Sequence, residues 1–275
     1  NGGEQVVVAL NPPAVSEGLV AHWRFDEGTG TEAEDSTGYN PPATVYGGAS
    51  WTAGMGGAFG TALDFDGSNQ AYVRAPNFRL SGSLSFTGWV YKTSMGNWQR
   101  VFDFGSGANN NNLILANEGT TSRGVWSIRR GGTERRILVQ DFWTLNQWQH
   151  VAATVNDQGS MKLYHNGVLK GSYNGHSANN LTRNRQYIGR SNWGNDAYFF
   201  GMMDDLRVYD RALTDQEVAT MHAGDLNATI TLGGDAPTVQ VFWGDEDAGF
   251  TSEVNASDNA KWDFVIDLGK RDVGS

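Results

Sequence analysis

Apolar and polar residues alternate along the chain from Leu19 to Asp26. Leu19, Ala21, Trp23 and Phe25 fall on one side and Val20, His22, Arg24 and Asp26 on the other, the period of a strand with one buried face. Trp23 and Phe25 are therefore expected in a core. The same period returns from Met202, with Asp204, Leu206 and Val208 on one face and Met203, Asp205, Arg207 and Tyr209 on the other. That reading puts one carboxylate on the core face. A buried carboxylate without partners is costly, so Asp204 should meet a cation or a cluster of donors.

Further strands are expected over 84–91, with Leu84, Phe86 and Gly88 facing inward, over 113–116, and over 187–190. Residues 148–155 and 161–165 read as two more, and Asn166-Gly167 after them is the strongest hairpin signal, because both residues tolerate the positive φ of a type I′ turn. Gly131-Gly132 predicts a hairpin between 125–129 and 136–139, and the DGSN stretch predicts one between 62–65 and 72–74. The asparagines of 108–112 read as an exposed tip. Thr214, with Glu217 three residues on, opens a short helix as a capping box whose apolar side carries Val218 and Met221. Residues 4–10, EQVVVAL, form a lone apolar run ended by Asn11-Pro12-Pro13.

Many short strands joined by turn residues predict an all-β fold, and 36 glycines among 275 residues agree with it. A net charge of −10 argues against nonspecific binding to nucleic acid, and no apolar run is long enough to cross a bilayer as a helix. The absence of cysteine excludes disulfides and thiolate chemistry. Residues 228–275 carry nine acids and three bases, a distinct piece compositionally.

The stretch FGMMDDLRVYDRALTDQEV resembles the closing strand and helical turn of bacterial laminin-G-like domains, the concanavalin A-like jelly-roll sandwiches. GLVAHWRFDEGTGTEAEDSTGYN is similar to that family's opening strand and loop, and ALDFDGSNQAYV, WQHVAATV, MKLYHNGVLKG and YIGRSNW match later segments in the family's order. The resemblance implies an antiparallel jelly-roll β-sandwich over 18–227, after an N-terminal strand and linker over 1–17. TITLGG, VQVFWGDEDAGF and WDFVIDLG resemble the first strands of a fibronectin type III-like, immunoglobulin-like module, of which 228–275 would be a part. The family likeness also implies a structural calcium held by Asp26, Asp35, Asn40 and Asp204, tying the loop after the first strand to the sheet; Glu27 and Asp205 come next. The residues also allow Asp35 to cap a turn and Asp26 to pair with an arginine.

Catalytic signals are weak. No glutamate has an aspartate two residues on, as a glucanase strand would require, and the five histidines have no metal-ligand spacing. A sugar site needs aromatic faces and flanking polar groups. Arg190, Asn192, Trp193 and Asn195 supply both in one loop, and Trp98 adds to the candidate patch; packing of Trp193 on the sandwich edge is the plainer alternative. Arg129, Arg130, Arg135 and Arg136 cluster as a solvated hairpin tip or an acidic-sugar contact. The leading expectation is a non-catalytic adhesion or structural module of a secreted or cell-surface bacterial protein. A carbohydrate-binding module of a glycosidase is the first alternative. A filament built by donating EQVVVAL to the partial module of another copy is the second. The expected partner is a glycan, another surface protein or a further copy of the chain.

Overall fold

The structure, a computed structural model, describes residues 15–56, 59–67 and 70–224, with short strands at Thr238–Val239 and Val254–Asn255. The chain divides into two units, Asn11–Asn227 and a second made of Asn1–Leu10 with Ala228–Ser275. Within the second, Thr238–Val239 pairs antiparallel with Val254–Asn255. The lone strand at 4–10 and most of the fibronectin-like segment lie outside the described residues.

The first unit is an all-β sandwich of two eight-stranded sheets. In the first sheet the strands run Val168–Asn174, Ser160–His165, Trp148–Val155, Leu84–Lys92, Phe200–Tyr209, Phe59–Asp66 and Ser50–Gly56, and Leu19–Trp23 pairs with Phe200–Tyr209. The second runs Thr133–Val139, Gly124–Arg130, Leu113–Asn117, Arg100–Gly105, Arg185–Ile188, Tyr72–Ala75, Ala43–Tyr46 and Glu32–Ala33. Every pairing within the two sheets is antiparallel, so the expected jelly-roll sandwich is present.

The core between the sheets is aromatic. Phe86 stacks on Phe102 at 4.0 Å, Trp126 and Phe104 meet Phe86 edge to face, and Trp23 joins Phe104. Trp23 and Phe25 are buried, as the alternation requires. A Cβ on Gly88 would collide with Leu206 Cδ2, so this inward glycine is what admits the leucine.

Two sequence readings are corrected. The strands flanking DGSN do not pair with each other. Phe59–Asp66 belongs to the first sheet and Tyr72–Ala75 to the second, so the chain arches across the sandwich and sets both Phe65 and Val73 into the core. Turn residues reverse the chain without dictating which strand receives the next ladder. In the closing strand the alternation breaks: the register against Leu84–Lys92 shifts between Asp204 and Arg207, and Asp205 adopts φ 52°. This bulge places Met203, Leu206 and Val208 in the core and turns Asp204, opposite Trp89, to the outer face.

The predicted hairpins at Asn166-Gly167 and Gly131-Gly132 are present, with φ 49° and 76° at the first. Thr214 and Glu217 form the capping box of helix Asp215–Gly224: the Glu217 amide donates to Thr214 Oγ1 at 3.2 Å and the Thr214 amide to Glu217 Oε2 at 2.8 Å. Val218 and Met221 pack with Tyr209 and Tyr164 on the outer face of the first sheet.

Candidate functional site

The outer face of the second sheet carries an apolar patch. In the strand Leu113–Asn117, Leu113 and Leu115 point into the core, while Ile114 and Ala116 point outward beside Val125. Trp98 and Trp193 lie on this patch. The two come from loops that are far apart in sequence, 94–99 and 189–199. With Arg100, Ser127, Arg129, Glu134, Arg136 and Asp196 they line a cleft of about 200 Å³.

Electrostatics hold this cleft together. The Arg100 guanidinium sits 5.5 Å from the Trp98 ring and 5.6 Å from the Trp193 ring, and Arg129 stands 5.4 Å from Trp193. Arg100 donates to Asp196 Oδ2 at 2.8 Å and to the Trp98 carbonyl at 2.9 Å, and lies 3.7 Å from Asp103. Burial lowers its pKa, and the Asp103 and Asp196 charges oppose that shift. Glu134 accepts from Ser127 at 2.6 Å and pairs with Arg129 at 3.0 Å. Arg136 stands 3.7 Å from Glu118.

Asp103, fully buried, organises the loops around the cleft. It accepts from Asn112 Nδ2 at 2.8 Å, from the Asn192 amide at 2.8 Å and from Asn192 Nδ2 at 2.9 Å. Burial raises its pKa, with the Arg100 charge in opposition. Asn112 is therefore buried rather than part of an exposed tip, while Asn109 and Asn110 are exposed.

Of the residues expected to bind a ligand, Trp98 and Trp193 are brought together. Asn192 is spent on Asp103 and the Arg185 carbonyl and acts as a positioning residue. Asn195 is exposed at the tip of its loop. Arg190 lies in a separate cleft, stacked on Tyr72 and Tyr187 at 4.7 and 4.8 Å. The sequence reading missed Arg100. An apolar Ile114 and Ala116 on the outward side of a strand was the available signal that something aromatic must cover them.

The residues expected to bind calcium fall in two places. Asp35 accepts from the His22, Thr37 and Asn40 amides, from Thr37 Oγ1 and from Asn40 Nδ2, at 2.7–3.1 Å. Asn40 Nδ2 also donates to the Val20 carbonyl. This network ties the loop to the first strand and lowers the Asp35 pKa, the several donors outweighing its burial. Asp26 accepts from Arg24 Nε at 2.9 Å and from the Thr61 amide at 3.1 Å. Asp204 is 1 % exposed and neither oxygen makes a hydrogen bond of ordinary geometry. Burial first, then the charges of Asp205 and Asp26, push its pKa up to about 8, and the nearby Asp205 amide only eases this.

Glycines make room for both carboxylates. A Cβ at Gly54 would lie 2.9 Å from Asp204 Oδ2, and one at Gly60 would lie 2.6 Å from Asp26 Oδ1. Among the described residues no group of three or more His, Asp or Glu side chains is placed to hold a metal ion. Beside Asp204, Asp205 pairs with His22 at 2.5 Å and Arg207 at 2.6 Å.

The fold has many solved relatives. Domain 4 of AbnA, a GH43 extracellular arabinanase from Geobacillus stearothermophilus solved with arabinotriose, is 26% identical, with a TM-score of 0.57 over 74% of this chain and 98% of that one. The binding domain of Paraclostridial Mosquitocidal Protein 1 is 18% identical (TM-score 0.57; 82% of this chain, 55% of that one). The ligand-binding domain of botulinum neurotoxin serotype D, solved with N-acetylneuraminic acid, is 16% identical (TM-score 0.56; 75% and 51%). The chain thus spans about half of the toxin binding domains it matches. No curated protein matches the sequence. A laminin-G family model described as the concanavalin A-like lectin/glucanases superfamily matches residues 65–219, more than half of the chain, and to that superfamily the chain belongs.

Proposed function

We propose that the sandwich is a non-catalytic glycan-binding module of an extracellular protein, and that it binds sugar in the Trp98–Trp193 cleft. The observation that carries this reading is the pairing of the two indoles over one arginine-floored cleft, built by loops about a hundred residues apart. Aromatic faces give a pyranose or furanose ring an apolar surface, and Ser127, Glu134, Arg129 and Arg136 offer donors and acceptors to its hydroxyls. The likeness to an arabinanase domain solved with arabinotriose supports the same class of ligand. Glycan binding, second in the sequence ranking, thereby moves ahead of adhesion or architecture as the primary role.

The cleft is not arranged for hydrolysis. Its two carboxylates, Glu134 and Asp196, are each held by an arginine and a serine, which leaves neither poised as an acid or nucleophile. Calcium retains a place in the proposal at Asp26 and Asp204. An orphaned buried carboxylate beside a second one, in a space cleared by two glycines, is what a hard cation relieves. There it would pin the first and closing strands together. Asp35 and Asn40 have their polar atoms engaged in the loop network and serve the loop instead.

The test is glycan-array screening of the 275-residue chain, followed by calorimetry with arabinotriose and any array hit. Truncation of a central aromatic anchor costs about 2 kcal/mol or more, roughly thirty-fold in affinity, so Trp193→Ala and Trp98→Ala should each abolish measurable binding to a weak ligand. Unchanged affinity in both variants would refute the cleft as the site.

A further inference from the structure

The outer face of the second sheet has a second cleft, beyond the 189–199 loop from the tryptophans. Arg74, Asn77, Asn184, Arg185, Tyr187 and Arg190 line an open space of about 660 Å³. The alternation of two adjacent strands produces it: Tyr187 stands opposite Arg74 in the ladder, while their neighbours Gln186 and Ala75 are buried. Three guanidiniums therefore share one cleft, and no carboxylate lines it.

The arginines around the tryptophans are neutralised. Arg100 has Asp103 and Asp196, Arg129 has Glu134, and Arg136 has Glu118. Arg74, Arg185 and Arg190 have no acidic partner among the described residues. Arg74 donates to the Asn184 carbonyl at 3.2 Å. Arg190 is fixed by rings, lying 4.7, 4.8 and 5.8 Å from Tyr72, Tyr187 and Tyr198. Such stacking holds a guanidinium in place while leaving its charge uncompensated. The chain carries a net charge of −10, so this concentration of cations is not a general basic character. Like charges collected in a cleft repel one another, and an anion relieves that repulsion.

We propose that the Arg74–Arg185–Arg190 cleft is a subsite for a carboxylate-bearing sugar residue, a uronate, on the same face as the Trp98–Trp193 cleft. A carboxylate matches the planar fork of a guanidinium in two parallel hydrogen bonds. Asn77, Asn184 and the Tyr187 hydroxyl offer partners to ring hydroxyls, which a bare anion would not use. The proposal rests on the glycan-binding reading and narrows its ligand to an acidic or partly acidic polysaccharide.

Three monosaccharides that differ only at carbon 6 test it: glucuronate, glucose and glucose 6-sulfate, titrated into the 15N-labelled chain. Glucuronate should shift the amides of 72–75 and 185–190 and the arginine Nε–H signals saturably. Glucose should not. Arg74→Gln and Arg185→Gln, both at exposed positions, should each weaken glucuronate about ten-fold without altering thermal stability. Shifts equal for glucuronate and glucose, or a preference for the sulfate, would overturn the uronate subsite. So would glucuronate shifts confined to the Trp98–Trp193 cleft. Arabinotriose binding lost in Trp193→Ala, together with no glucuronate response at the arginines, would leave the glycan-binding module standing and remove this subsite alone.

Discussion

Replacing Asp204 by asparagine should stabilise the calcium-free domain, and the gain should grow with pH. The folded protein holds a proton on Asp204 up to about pH 8, whereas the unfolded chain releases it near the ordinary value of 3.8. Between those limits the folded state binds one proton more than the unfolded state, so stability falls as pH rises, by about 1.4 kcal/mol per unit, and levels off above about 8. From pH 5 to pH 7 the loss is about 2.7 kcal/mol at most, since relaxation around the carboxylate reduces it. For a domain of this size that corresponds to roughly 5–10 °C in Tm. Asparagine has the shape of the protonated acid and no charge to bury. Calorimetric melts of wild type and Asp204→Asn in chelator at pH 5, 6, 7 and 8 should therefore already differ at pH 5, which is above the unfolded value of 3.8, and diverge by up to about 1.4 kcal/mol for each further unit. Subtracting the two curves cancels the other shifted groups, including Asp103, His150 and Glu217. A gap of constant size across that range would refute the buried-charge argument. Millimolar calcium should raise the wild-type Tm and reverse the order of the two proteins; an equal rise in both would remove Asp204 as a ligand.

Three further outcomes follow from the geometry. Gly201→Ala should be among the most damaging single changes, about 3 kcal/mol or more by chemical denaturation, because φ is 137° there and a Cβ would stand in contact with the Tyr91 carbonyl of the neighbouring strand. Glu217→Gln should cost about 1 kcal/mol at pH 7, read from urea midpoints. Its carboxylate is held down to about 2 by paired hydrogen bonds from Arg211, with Thr214 adding to the hold, so the wild-type advantage should vanish as pH falls from about 4.5 towards 2. Gly167→Ala should cost about 1 kcal/mol in the same assay, since φ is 76° and the new methyl would press on His222.

Local rules were legible wherever the residue type itself fixes the backbone. Asn166-Gly167 announced its turn, and Thr214 with Glu217 announced the helix start. The inward faces of Ala21 and Trp23 followed from alternation, but an irregularity between Leu19 and Ala21 sets Leu19 against the helix cluster and Val20 against the core, opposite to the expected sides. What escaped was set by tertiary pairing. The bulge at Asp205 sits where the closing strand's partner on one edge changes from Phe59–Asp66 to Leu19–Trp23, and a single aspartate at positive φ leaves no periodic trace. The arch after Asp66 looks, residue by residue, like a hairpin. Trp98 and Trp193 were legible as aromatic candidates, yet their union depended on Asp103, whose role in holding Asn192 is invisible without the fold. Nothing in the sequence singled out Arg74 or Arg185, which only the ladder and the cleft bring together with Arg190.

The Asp103 network also bears on how readily this module could change its ligand. The supports of the cleft, Asp103, Asn112 and Asn192, sit beneath and behind it, while Ser127, Glu134 and Arg136 occupy outward positions of an edge hairpin whose inward positions hold Trp126, Ile128 and Ile137. The parts that recognise are thus separable from the parts that fold. On the proposed glycan-binding reading, drift or deliberate mutagenesis at the three outward positions would retarget the domain toward another sugar while the sandwich beneath stays the same.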